Sequence, residues 1–258
     1  MKPDALSRAA KPALALVLAL ACAAGPAAAE VQKYAGGPII AELVTRLLEQ
    51  THYAKKPIDA NVSKQFLENY LESYDYNHMI LDKSDVDEFE AKYGSDLGAL
   101  AKDGNVDPAY EIYDRVEKRL EERVALVKRL TASTFTFTTD ENVVLDRHDA
   151  PWPTAAEAKE LWRLRIKNEV LQERLTKIKA EQDKAAAAKT AAAKAAAAKT
   201  TKTATAAAPA TSTTTAVAAA VKKPVKELST QETIDTRYER LLRSYKEYDG
   251  TDILQDYL

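Results

Sequence analysis

Glycine is scarce in this 258-residue chain, with seven in all, and cysteine occurs once, at Cys22. So little glycine leaves almost no material for a Gly-rich phosphate loop, and none is found. The three histidines, His52, His78 and His148, share no metal-ligand spacing with one another or with carboxylates, so each reads as a loop or cap residue. No G-x-S-x-G occurs, and Ser63 and Lys64, as helix neighbours, diverge by about 100° and make a poor nucleophile–base pair. These absences leave no catalytic, cofactor-binding or metal-ligating residue to assign. The formal net charge of −2 also gives no sign of a nucleic-acid partner.

The one long apolar run is Ala13 to Ala24, shorter than the roughly 20 residues that a bilayer span requires. Lys2, Arg8 and Lys11 precede it and Pro26-Ala27-Ala28-Ala29 follow, which is the anatomy of a secretory signal over residues 1–29. Cleavage before Glu30 removes the only cysteine and changes the balance from 37 bases against 39 acids to 34 against 38. Ala19-Leu20-Ala21-Cys22 offers an alternative, a degraded lipoprotein box with lipid attached at Cys22. Either reading sends the chain out of the cytoplasm, into the periplasm or beyond.

What remains is rich in helical periodicity. Leu145 to Leu175 reads as the spine. Pro151 and Pro153 lock a turn around Trp152, then Thr154 and Glu157 form a capping box. Ala158, Leu161, Leu164, Leu171 and Leu175 follow at helical spacing, flanked by Trp162, Ile166 and Val170. Ahead of it lie an apolar stripe from Ile39 to Leu48, a helix from Asp59 or Asn61 to Tyr74, and a short helix capped by Ser84 with Asp87. A long helix opened by Asp107-Pro108 then runs to about Leu130. Thr134 to Thr138 alternates Thr and Phe before Val143-Val144-Leu145, a candidate hairpin and the chain's only β signal. Past Glu181 the stripe gives way to Ala/Lys repeats from Lys184 to Lys199 that favour helix without burying anything, then from Thr200 to a Thr- and Pro-containing run expected to be disordered. Its seven lysines from Lys184 to Lys223 suggest salt-sensitive attraction to an anionic polymer, although an export signal argues against nucleic acid. Ser229 and Glu232 cap a last helix with Tyr238 and Leu242, and Ile253, Leu254, Tyr257 and Leu258 follow. That ending on an apolar face suggests the front piece of something longer.

The expected architecture is all-α, an irregular multi-helix domain with one candidate short hairpin and a low-complexity Ala/Lys/Thr insertion. Its parts are a signal at 1–29, a helical domain at 30–183, a linker at 184–224 and a continuation of the domain at 225–258. Two surface features carry alternatives. Arg115, Arg119 and Arg123 recur every four residues, either to receive an anion or, as favoured, to pair with Glu117, Glu121, Glu122 and nearby acids on a solvated face. Twelve tyrosines stand against four phenylalanines, with Tyr70, Tyr74, Tyr76, Tyr110 and Tyr113 clustered in the front half. They read either as an interface with a partner or as semi-buried helix edges.

Several stretches together resemble the N-terminal helical domain of tail-specific, carboxy-terminal-processing proteases of the bacterial periplasm. They are THY at Thr51 to Tyr53, YLESYDYNHMIL with SDVDEF from Tyr70 to Phe89, YEIYDRVEKRLEER from Tyr110, LDRHDAPWP from Leu145, the Trp162 helix, and RYERLLRSYKEYDGTDILQDYL at the end. LDRHDAPWP is the most specific, so Asp146, Arg147, Trp152, Pro153 and Trp162 are the motif residues. The resemblance implies a PDZ domain and a Ser–Lys serine protease domain after Leu258, so the catalytic machinery of such an enzyme lies outside these residues. It also implies protein substrates and a helical platform that wraps the protease core, helps enclose substrate and docks an adaptor lipoprotein. The Ala/Lys tract departs from the family pattern. A free-standing secreted scaffold or adaptor is the alternative.

Overall fold

The computed structural model describes residues 31–51, 57–201 and 228–258, with side chains from 195 to 201 left out. The signal, Cys22, His52, Tyr53 and the Thr-rich run therefore lie outside the described residues. Among those described there are eight helices and no strand, so the fold is all-α. They are α1 (Gly37–Thr51), α2 (Ala60–Asp75), α3 (Lys83–Tyr93), α4 (Leu97–Lys102), α5 (Asp107–Thr131), α6 (Ala155–Thr201), α7 (Thr230–Lys246) and α8 (Gly250–Tyr257).

The axis of the domain is α5 rather than the Leu145–Leu175 stretch. Its 25 residues place Ile112, Tyr113, Val116, Leu120, Val124 and Val127 fully inside, and α3, α6, α7 and α8 all pack against it. An inward residue every three or four positions over seven turns makes a helix that can be covered from several sides. By contrast, α6 belongs to the core only through its first four turns. Its buried stripe is Ala158, Trp162, Ile166 and Val170, at a strict spacing of four, and Leu175 is already exposed. The helix nevertheless continues through the Ala/Lys repeats to Thr201, its side chains exposed from residue 178 to Lys194, as alanine's high helix propensity allows.

Caps fix where the helices begin. Asp59 Oδ1 accepts the Val62 N–H at 2.9 Å, and Thr154 with Glu157 and Ser229 with Glu232 close reciprocal capping boxes. The α3 cap differs from expectation. Asp82, not Ser84, is the N-cap, and its N–H donates to Asp85 Oδ2 at 3.0 Å. Lys83 N–H donates to Pro153 O at 2.7 Å, which sets the entry two residues earlier, while Asp87 pairs with Lys83 on the surface.

The candidate hairpin does not form. Residues 134–145 instead run along α6 as an irregular strap whose Phe137 and Glu141 engage charged side chains of that helix. Phe137 lies near the cationic groups of Lys167 and Arg174, and Glu141 bridges Arg163 and Lys167. Helix α1 also departs from a simple reading of its periodicity. Gly37, Ala41 and Thr45 face the domain, whereas Ile39, Leu43 and Leu47 point outward, Leu43 being 62% exposed.

Candidate functional site

Two of the stretches that carry the family resemblance form a single clasp. The turn after α2 is organised by Asp75, whose buried carboxylate accepts the N–H groups of Met79, Ile80 and Leu81 at 2.7, 2.7 and 2.9 Å. Burial pushes this carboxyl above its usual value, partly offset by those three donors. His78 takes a left-handed conformation, φ 51°, which turns its ring towards the 145–153 strap. There its Nδ1 meets Ala150 O at 2.6 Å; a carbonyl only accepts, so Nδ1 carries the proton. Trp152 stacks on the same ring, centroids 3.8 Å apart, and His148 stacks on Tyr76 at 4.2 Å. Arg147 N–H donates to Asn77 Oδ1 at 3.2 Å, and Pro153 O receives Lys83. Trp162 reaches up from α6 to give its indole N–H to Met79 O at 2.7 Å.

The structure therefore gathers Trp152, Pro153, Trp162 and Arg147 around one turn. Asp146 stays at the surface, where Oδ1 accepts the His148 N–H at 3.3 Å. A cavity beside this clasp, about 400 Å³ in volume, is lined by His78, His148 and Trp152 together with Glu68, Glu72 and Glu90.

Behind the clasp stands an ion-pair ladder that the periodicity of α5 alone misplaces. The arginines pair mainly with α3 and its cap rather than with Glu117 and Glu121. Arg123 donates to Asp82 Oδ1 at 2.6 Å, Arg119 Nε to Asp85 Oδ2 at 2.7 Å, and Arg115 to both Asp85 and Glu88. Arg119 does reach Glu122 as well. Arg123 is only 5% exposed, and its Nε also donates to Ile80 O, tying the ladder to the Asp75 turn. Burial raises the Asp85 carboxyl, but hydrogen bonds from Arg119, the Asp82 N–H and Arg115 outweigh it and hold the group below its usual value. A signal was present in the sequence: acids at 82, 85 and 88 descend against arginines at 123, 119 and 115, as antiparallel helices require.

The tyrosines form a seam where the returning α7–α8 hairpin meets the front helices. Tyr70 donates to Ala109 O and Tyr110 to Gly250 O, each at 2.9 Å, while Tyr245 donates to Tyr74 O at 2.9 Å and Tyr113 donates to Tyr245 O. Tyr74, Tyr113, Tyr245 and Tyr248 pack ring against ring. Tyr70, Tyr110, Tyr113 and Tyr245 each pack the ring inward and lend the hydroxyl to a backbone carbonyl, a use phenylalanine cannot fill. Burial also pushes the Tyr245 phenol up to about 12. Gly250 belongs to this seam, because a Cβ there would come within 2.2 Å of Gln32 O. Of the five tyrosines singled out from sequence, Tyr70, Tyr74, Tyr110 and Tyr113 lie inside this seam and Tyr76 is more than half exposed beside His148.

Among the described residues no group of three or more His, Cys, Asp or Glu is placed to hold a metal ion, and no helix is long and apolar enough to cross a membrane. Ser63 is buried, and its hydroxyl accepts the Gly98 N–H at 3.1 Å, which makes it a link between α2 and α4. The arrangement binds segments to one another.

An all-helical domain built on these clasps is the class that the fold defines. Residues 44–258 match the family described as the tail specific protease N-terminal domain, and the chain belongs to that family. It is also similar to the tail-specific protease of Haemophilus influenzae, 32% identical over 142 residues, which are 55% of this chain and 20% of that protein. The matched stretch thus spans about a fifth of the relative's length.

Proposed function

We propose that this chain is the N-terminal platform of a tail-specific periplasmic serine protease that processes or degrades proteins from their C-termini. On this reading residues 1–29 direct export and are removed, with lipid attachment at Cys22 as the lesser alternative. Residues 30–183 and 225–258 form one helical domain, and 184–224 are a low-complexity insertion. The platform is non-catalytic by itself. It wraps a downstream PDZ and Ser–Lys protease core, helps enclose the substrate polypeptide, and provides a surface for an adaptor lipoprotein, with exposed Tyr76 beside the clasp as a candidate contact.

The observation that carries this reading is the family match across residues 44–258, with its most specific motif engaged in the clasp around His78. Purified residues 30–258 are expected to show no turnover of peptides with apolar C-termini, whereas the complete natural gene product cleaves them. Peptidase activity in the short chain, surviving further purification, would overturn the assignment of a non-catalytic platform.

A further inference from the structure

The cavity beside the clasp carries more acid than its own walls neutralise. Its volume is about 400 Å³, and α2, α3 and residues 148–152 of the strap enclose it. Leu67 and Leu71 of α2 and Val86 of α3, all buried, give it an apolar lining. Glu68 and Glu72 stand one turn apart on α2, Glu90 comes from α3 and Asp149 from the strap, against a single lining lysine, Lys64. None of these four carboxylates has a hydrogen-bond or ion-pair partner among the described residues. Elsewhere on α3 the acids are paired, Asp85 and Glu88 with Arg115 and Asp87 with Lys83. A second observation comes from the turn. His78 is 6% exposed, lines the cavity and gives its Nδ1 proton to Ala150 O, so in the neutral ring Nε2 is an acceptor. That Nε2 is buried and has no partner among the described residues. Buried polar atoms are seldom left unpaired, so this one marks a place for a donor.

Among the described residues these acids and His78 are not placed to hold a metal ion together, so a compact cation does not suit them. An extended one does. A planar guanidinium carries five N–H donors, forms paired bonds to carboxylates and stacks on aromatic rings. Trp152, stacked on His78, offers such a ring in the cavity wall, and an alkyl stem suits Leu67, Leu71 and Val86. We propose that the cavity between α2, α3 and the strap binds a guanidinium group on an alkyl stem, as in an arginine side chain. Glu68, Glu72 and Glu90 balance its charge, and one of its N–H groups completes His78 Nε2. The site is built wholly from residues between 64 and 152 and does not depend on the protease reading.

The test is calorimetric titration of the full natural product with argininamide, citrullinamide and lysinamide. Argininamide is expected to bind with a Kd on the order of 1 mM, in keeping with its size. Citrullinamide keeps the shape without the charge and is expected to bind at least about tenfold more weakly, and lysinamide more weakly than argininamide. Glu72→Gln combined with Glu90→Gln removes two carboxylates that hold nothing in the fold. This variant is expected to keep its Tm and to bind argininamide at least about tenfold more weakly, whereas Glu247→Gln, outside the cavity, binds it as the parent does. The peptide acetyl-Ala-Arg-Ala-amide separates the sources of the ligand. Tighter binding than argininamide assigns the site to polypeptide arginine, and binding no tighter assigns it to a free guanidinium compound. Argininamide matched by citrullinamide or by lysinamide overturns the proposal. So does affinity that the double substitution leaves unchanged, or no binding up to about 50 mM.

Discussion

Asp75 holds three consecutive backbone N–H groups with one carboxylate, in a turn too tight for helix or strand to satisfy them. Asp75→Ala leaves all three buried donors without a partner, so the domain is expected to lose about 3 kcal/mol, measured by urea unfolding. Arg123→Ala should cost a similar amount, about 3 kcal/mol, because Asp82 is buried and keeps only a distant Arg119 at 3.5 Å. Asp85 adds a pH dependence. Its folded-state value is depressed, so its contribution is complete above the unfolded carboxylate value of about 3.9 and is lost as pH falls through the folded value. Asp85→Asn is therefore expected to be about 2 kcal/mol less stable at pH 7, with the gap to the parent closing below about pH 4. A gap that stays constant down to pH 2 would mean the ladder contributes through packing rather than charge. Asp75, whose value is raised by burial, acts in the opposite direction and is common to both proteins, so their difference isolates Asp85.

At the scale of elements, the strap is held by stacking and the α6 helix by a buried indole. Trp152→Ala removes the ring on His78 and is expected to free residues 146–153, seen as fast amide exchange there, while α5 stays protected. Trp162→Phe keeps most of the packing but orphans Met79 O, for an expected loss of about 1–2 kcal/mol. The Ala/Lys insertion should matter far less. Lys177 Nζ donates to Leu228 O at 2.7 Å, and Glu169 binds Arg237 and Tyr238, so the chain leaves and re-enters at nearly the same place. Replacing residues 182–226 with about six Gly and Ser residues is expected to move Tm by no more than a few degrees, because closure entropy grows slowly with loop length. Much of this was legible in advance. Every helix was foreseen by period or cap except short α4, since Asp59, Pro108, Thr154 and Ser229 act locally. The hairpin and the α1 face were not legible, because Thr-Phe alternation and a row of leucines state only that a side chain wants cover. They do not say which element supplies it. The arginine ladder was readable only by comparing α3 with α5, since neither helix shows its partner alone.

For the whole molecule, the central feature is a helical domain whose buried polar groups join its own segments, with several exposed apolar side chains gathered on α1. The tyrosine seam shows how firmly the distant return is fixed: Tyr110 bonds Gly250, and Tyr74 accepts from Tyr245, across most of the sequence. Family membership and likeness to part of a much longer protease point the same way. The mass of the native product, detected with an antibody against residues 30–181, tests this most directly. A protein far heavier than 28.4 kDa is expected, approaching the roughly 700 residues implied when 142 make up 20% of the relative. A mature product no heavier than 28.4 kDa would contradict it and leave a secreted helical scaffold in its place.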